Sequence, residues 1–120
     1  MIFMSTINPQ KGEIWFVNFN PTKGSEVRKC RPAVVVSSND VGKLPLKIVV
    51  PVTDWKPRYA EVAWFTHLTA TQKNGLTKDS GADGFQVKSI SVDRFLNKIG
   101  MVDEDNLEII LNTIALCIGI

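Results

Sequence analysis

The sequence predicts a mainly β protein: a small, curled antiparallel sheet with a single α-helix at its C-terminus. Three observations predict it. Short segments rich in β-branched and aromatic residues follow one another from Glu13 to Ile99, each bounded by turn chemistry. Only the last segment changes period: Leu107, Ile110, Leu111, Ile114 and Ile118 recur at the spacing of one helical face. Strands first and one helix last argue for a helix laid on an antiparallel sheet, not for alternating βα units.

The elements follow in order. Glu13–Phe19 is aromatic and β-branched and reads as the first strand. Asn20 to Ser25 is turn chemistry. Ala33–Val36 reads as a buried strand, ended by Ser37 to Asp40, and Lys47–Thr53 as a third. Pro51 cannot donate to a ladder, which places it at an edge or near a strand end. Glu61–His67 alternates as a fourth strand. Asn74-Gly75 and Ser80-Gly81-Ala82-Asp83-Gly84 mark turns. Phe85–Ser91 and Arg94–Ile99 are further strands. Asp103 stands before the helix, with Glu104 and Asp105 in its first turn, where carboxylates meet the positive helix end, and Gly119 is a natural stop. Trp15 and Trp64 are expected in the core.

With 120 residues, the chain is long enough for one domain with a real core. The expected division is a short tail over residues 1–11 and a single domain over 12–120; Met4 is a possible alternative start. An apolar fraction of 44% and a charged fraction of 22% are those of an ordinary globular protein. The net charge of +2 is too small to argue nucleic-acid binding by itself, so the placement of the bases matters more. Cys30 and Cys117 lack metal-ligand spacing, follow no recognisable secretory leader, and are expected as free thiols in a reducing cytoplasm. No apolar run approaches the length of a membrane span.

Chemistry concentrates in the loop from Gly24 to Pro32. Glu26 and Arg31 lie five residues apart there, beside Arg28 and Lys29. That supplies a proton acceptor and a permanent cation in one short stretch, a kit suited to a phosphodiester. Arg31 can make two hydrogen bonds to a phosphate, or pair with a carboxylate such as Glu26. Glu26 can act as a general base or be a solvated loop acid. Thr53 can hold a phosphate oxygen or cap its own turn. After Thr53, bases and rings interleave as Trp55, Lys56, Arg58 and Tyr59, a pattern that suits single-stranded nucleic acid; an ordinary solvated loop with Trp55 folded inward fits equally. His67, the only histidine, has no partner for a metal and reads as structural. Asp54, Asp79 and Asp83 form no recognisable metal cluster, and neither a phosphate-binding Gly-rich loop nor a serine nucleophile motif is present.

An ordered set of short motifs then resembles one family. Gly12-Glu13-Ile14-Trp15, Asn20-Pro21, Gly24-Ser25-Glu26 and Arg31-Pro32 resemble the opening of the MazF/PemK (Kid) toxins. Val50-Pro51-Val52-Thr53, Gly75-Leu76 with Asp79-Ser80, Gln86 to Ile90, Arg94-Phe95 and Ile99-Gly100 continue the resemblance to the C-terminus. It implies an SH3-like, CcdB/PemK-type curled antiparallel β-barrel with a helix packed on it, working as a homodimer. It also implies a cofactor-free, metal-independent endoribonuclease of a type II toxin–antitoxin system. Such an enzyme cuts single-stranded mRNA by attack of the ribose 2′-OH, leaves 2′,3′-cyclic phosphate and 5′-OH ends, and is held by a cognate antitoxin, usually acidic and partly disordered.

By position, the resemblance makes Arg31 the catalytic arginine, carrying transition-state charge and leaving-group protonation. Thr53 becomes the holder of the scissile phosphate and Glu26 the general base. Ser25, Arg28, Lys29, Trp55, Lys56, Arg58 and Gln86 become RNA contacts. Arg28-Lys29 stands where the family usually has a Gly-rich spacer, and Ser25 where the Kid branch has a histidine. Asp83 and Phe85 stand where that branch places a catalytic Arg and Asp, which leaves the Glu26–Arg31–Thr53 arrangement. Two other functions remain in view. One is a non-enzymatic DNA gyrase poison like CcdB, similar in fold, whose C-terminal Trp before Gly-Ile is Ile118 here. The other is an inactive RNA-binding module.

Overall fold

The computed structural model describes residues 7–120; most of the expected tail, and Met4 with it, lies outside them. Seven strands and one α-helix follow in the order β1 Glu13–Asn18, β2 Cys30–Val35, β3 Leu46–Asp54, β4 Phe65–Leu68, β5 Ser80–Asp83, β6 Lys88–Ser91, β7 Phe95–Met101 and α1 Glu104–Ile118. All pairings are antiparallel. Their order is β4-β5-β3-β2-β1-β7, with β6 also paired to β3. No pairing joins β4 to β7, so the curled sheet stays open and does not close into a barrel.

Strand alternation splits the apolar residues between two clusters. Ile14, Val34, Val50 and Val52 face one side, where Leu107, Leu111 and Ile114 of α1 pack with the fully buried Ile110. Trp15, Val17, Ala33, Val35 and Val49 face the other, with Ile90, Val92 and Phe95. Trp15 meets Phe95 edge-on at 5.7 Å. β3 contributes to both clusters, which is why its middle reads as an unbroken apolar run.

Both helix ends follow the expected chemistry. The Asp103 side chain accepts from the Asn106 N–H at 2.7 Å, and Gly119 closes the helix in the left-handed region at φ 81°. Ile118 is not on the buried face as its spacing suggested; it is 62% exposed in the last turn.

Three other expectations change. Ser80–Asp83 is a buried strand, not a turn. Its small residues allow the aromatic side chains to close over it, and a Cβ on Gly81 would meet the Phe65 and Trp55 rings at 3.1 and 3.2 Å. The fourth strand starts only at Phe65, because Pro57 sets up a 3-10 turn over Pro57–Glu61. Trp64 therefore precedes the strand and is 37% exposed instead of buried. Finally, Gly84–Gln86 forms another 3-10 turn, and the strand expected from Phe85 begins at Lys88.

Gly75 and Gly100 bring the turn after Thr71 directly onto β7. Gly75 sits at φ 70°, where a Cβ would collide with the Ile99 carbonyl. Glu13 ties the same stretch of β7 to β1. Its Oε1 accepts from the Gln10 N–H at 2.8 Å and the Trp15 indole at 2.9 Å, and its Oε2 pairs with Lys98 Nζ at 3.0 Å. Burial alone would raise the Glu13 carboxyl, but hydrogen bonds from Gln10, Trp15 and Lys98, with the charge of Lys98, hold it below its ordinary value.

A depressed folded value means that the ionised Glu13 stabilises the fold above its unfolded pKa, and that this is lost as pH falls through the folded value. Glu13→Gln is expected to cost about 2 kcal/mol at pH 7. In urea melts across pH, the gap between the two proteins should shrink on acidification below pH ~4.

Candidate active site

β2 begins at Cys30, three residues earlier than the apolar run suggested, and this puts Arg31 inside a strand. Its backbone pairs with Val17 of β1. On the other side, the β2–β3 ladder runs Val35–Val49, Val34–Val50 and Ala33–Pro51, and ends there. The next hydrogen-bonded pair would be Pro32 with Val52, and Pro32 has no N–H to donate. On its opposite edge, β3 pairs with β6 up to Val49 and with β5 from Val52, with Val52 opposite Ala82 and Thr53 opposite Gly81, so past Pro51 it parts from β2. The two strands fork. Carried two residues further in the same register, Arg31 would stand opposite Thr53, and the fork opens a cleft of about 410 Å³ that both residues line.

Lys78 and Cys30 line the same cleft. Lys78 Nζ pairs with the Asp54 carboxylate at 3.1 Å, an exposed contact, so the ammonium is close at hand and weakly held. The Thr53 hydroxyl makes only a long 3.5 Å contact with the Asp54 carbonyl. Arg31 donates from Nε to the Arg28 carbonyl at 3.0 Å. A hydroxyl, a guanidinium and an ammonium thus surround one opening, a set suited to an anion with tetrahedral oxygens.

The connection from β1 to β2 folds back on itself. The Phe19 N–H donates to the Lys29 carbonyl at 2.9 Å, and Lys29, at φ 70°, donates its N–H to Asn20 Oδ1 at 3.0 Å. Arg94 Nη1 bonds the carbonyls of Asn18 and Asn20 from below. Arg28 Nη2 bonds the Gly24 carbonyl at 2.9 Å. Glu26 closes a turn with Lys23: its N–H donates to the Lys23 carbonyl at 3.1 Å, and its Oε1 accepts from the Lys23 N–H at 2.5 Å.

Glu26, Ser25 and Gln86 border a second, larger cleft of about 670 Å³. The structure therefore places Arg31 with Thr53 on one cleft, and Glu26 with Ser25 and Gln86 on the other. Trp64 and Phe85 wall the second cleft, tilted at 60° with centroids 5.2 Å apart. Phe85 is 60% exposed. Asp83, on the same wall, is buried. Its carboxyl is raised above the ordinary value by that burial, against the pull of hydrogen bonds from the Phe85 N–H and from Gln86. Burial, then the nearby Asp83 charge, pushes the Cys117 thiol up; Cys30 and Cys117 are both free.

The basic and aromatic loop after Thr53 builds a stack. Trp55 lies flat on His67, 4.1 Å away and 11° off parallel, and meets Tyr59 edge-on at 5.8 Å. Tyr59 stacks on Phe65 at 3.9 Å. Lys56 and Arg58 are exposed beside these rings, with the Arg58 guanidinium 5.3 Å from the Tyr59 centroid. His67 is thus a stacking support, held by Asp79 Oδ2 at 3.4 Å. Among the described residues, no three His, Cys, Asp or Glu side chains gather as metal ligands.

Reading by residue type missed Lys78, Trp64, Phe85 and Asp83 as cleft residues. Lys78 carried a signal, since it directly precedes the Asp79-Ser80 pair. The other three carried none, because their place depends on where strands start.

The fold is that of known proteins. The family model for the PemK-like, MazF-like toxin of type II toxin–antitoxin systems matches residues 10–118. Endoribonuclease MazF9 of Mycobacterium tuberculosis (strain ATCC 25618 / H37Rv) is 36% identical over 104 residues, covering 82% of this chain and 86% of its own length. The crystal structure of MazF from Deinococcus radiodurans superposes with a TM-score of 0.78 at 22% identity, covering 95% of this chain and 99% of its own. An endoribonuclease in complex with its cognate antitoxin, from a mycobacterial species, superposes at 0.71 with 14% identity, covering 93% and 96%. A forked sheet with this helix, matched over nearly its whole length, places the chain in the PemK-like, MazF-like toxin family of type II toxin–antitoxin systems.

Proposed function

We propose that this toxin is a metal-independent endoribonuclease that cuts single-stranded RNA, chiefly mRNA, at the β2–β3 fork. The observation that carries the reading is the approach of Arg31 and Thr53 across one cleft, with Lys78 beside them. In the reaction, the ribose 2′-oxygen bonds to the adjacent phosphorus and loses its proton to Glu26. The bond to the 5′-oxygen breaks, and that oxygen takes a proton from the Arg31 guanidinium as it leaves; solvent then restores the proton to Arg31. The products are a 2′,3′-cyclic phosphate and a 5′-OH end. Arg31 meets the charge that builds on the phosphoryl oxygens, and the Thr53 hydroxyl holds one of them. Glu26 Oε1 is taken by the Lys23 N–H, so Oε2 is the oxygen that receives the proton, and the loop must carry Glu26 from the second cleft toward the fork for it to do so.

Flanking nucleotides have two surfaces to lie on. Arg28, Lys29, Lys56 and Arg58 supply cations, and Trp55, two residues after Thr53, supplies a ring stacked on His67 and edge-on to Tyr59. Ser25, in the second cleft, is a further RNA contact. The mycobacterial relative solved with its cognate antitoxin supports a protein partner of that kind here, covering the RNA site. A homodimer fits the exposed Ile109, Leu116 and Ile118 on α1. A cytoplasmic site of action agrees with the two free thiols, and no described helix is long and apolar enough to cross a membrane.

Incubation with a long single-stranded RNA and a matched DNA in excess EDTA, followed by end mapping, is expected to give discrete RNA cuts with 2′,3′-cyclic phosphate ends and intact DNA. An uncut RNA, with the protein folded, would turn the reading to gyrase binding or to an inactive RNA-binding module. Arg31→Ala is expected to lose at least ~100-fold in cleavage rate with its circular dichroism unchanged; cutting at the parental rate would remove Arg31 from the mechanism.

A further inference from the structure

Gln86 borders the second cleft, but both ends of its amide are already engaged. Its Oε1 accepts from the Val27 N–H at 2.6 Å. Its Nε2 donates to Asp83 Oδ2 at 3.2 Å and, more weakly, to the Ser25 carbonyl at 3.4 Å. Val27 and Gln86 are 59 residues apart in sequence. Among the described residues, these are the hydrogen bonds that tie residues 24–27 to an element outside the β1–β2 connection. The other bonds of that tip are internal, between Glu26 and Lys23 and between Arg28 and Gly24. Val27 also packs its side chain on the cluster around Trp15 and Phe95.

Only one orientation of the amide satisfies both neighbours. Turned over, its NH2 would face the Val27 N–H and its oxygen would face the Asp83 carboxylate. Asp83 is itself fixed: it is buried, and Oδ1 accepts from the Phe85 N–H at 3.1 Å. The chain of contacts then reaches the fork. The tip carries Glu26, and the residue after Val27 offers the carbonyl that receives Arg31 Nε.

We infer that Gln86 is a positioning residue, which with Asp83 latches the loop bearing Glu26 and so sets where Glu26 and the Arg31 guanidinium stand. This rests on the cleavage reading for its consequence, but the latch itself can be tested without RNA. The donor–acceptor pattern makes the test sharp. Gln86→Glu sets two carboxylates face to face. Asp83→Asn sets an NH2 against an NH2, or turns the Gln86 amide over and opposes the Val27 N–H. The double variant Asp83→Asn/Gln86→Glu reverses the pair and restores it. The introduced carboxylate accepts from the introduced NH2 with one oxygen and from the Val27 N–H with the other. The amide oxygen at the former Asp83 position still accepts from the Phe85 N–H.

The experiment is amide hydrogen exchange at Val27 in the full chain, with steady-state cleavage kinetics in parallel. Each single variant is expected to speed Val27 exchange about tenfold and to lower kcat about tenfold with KM within about twofold. The double variant is expected to recover both to within about threefold of the parent. Wild-type exchange at Val27 in Gln86→Glu, or a double variant no better than the singles, would overturn the latch. Exchange that follows the pattern while kcat does not would overturn the positioning role. Altered KM or cleavage sequence with unaltered Val27 exchange would make Gln86 an RNA contact instead. If the parent itself cuts no RNA, it is the cleavage reading that fails, and the exchange arm still decides the latch.

Discussion

The fold and its site both depend on where the β2–β3 ladder stops. Three residue pairs hold it, and the last joins Ala33 to Pro51. The next hydrogen-bonded pair would be Pro32 with Val52, and Pro32 has no N–H to give it. Pairing with β5 on the opposite edge, from Val52 to Asp54, holds β3 in place beyond that point. Beyond Pro51 the edge of β3 that faces β2 is left without a strand partner among the described residues, and a gap opens there. Here the gap has Arg31 on one lip and Thr53 on the other.

Core packing enforces the register that makes this happen. Val34 and Val50 share one cluster, and Val35 and Val49 the other, with all four fully buried. A slip of one residue would turn both sets to the wrong face and pull Arg31 and Thr53 out of alignment. Sheet stability and the separation of the two site residues are therefore one constraint. The remaining parts are held less firmly. The β1–β2 connection lies at the surface, stitched by short-range bonds and by Gln86, and Glu26 satisfies its own turn until something displaces it. A fork held by the core beside a more yielding surface loop is the arrangement the proposed cleavage of a long flexible RNA calls for.

Much of this was legible in the sequence. The apolar strands, the helix period, its Asp103 and Gly119 ends, and the likeness of Arg31-Pro32 and Val50-Pro51-Val52-Thr53 to one family all point the same way. Ser80 to Asp83 misled because small residues mark turns when read locally; here they are small so that Trp55 and Phe65 can close over the strand. Trp64 was expected inside because strand alternation was counted through a segment that Pro57 turns into a 3-10 helix. The Gln86 contact with Val27 joins segments far apart in the chain, and no local pattern encodes it. The separation of Glu26 from the Arg31 cleft is a matter of loop conformation, which spacing alone does not specify.

The central claim is that Arg31 and Thr53 grip the same phosphate across the fork. A double-mutant cycle on cleavage, with Arg31→Ala, Thr53→Ala and the pair, tests it most directly. If both groups hold one phosphate, the double variant should lose little more than Arg31→Ala alone, a coupling of at least about 1 kcal/mol. Losses that simply add would contradict the account, because they would place the two residues on separate parts of the substrate.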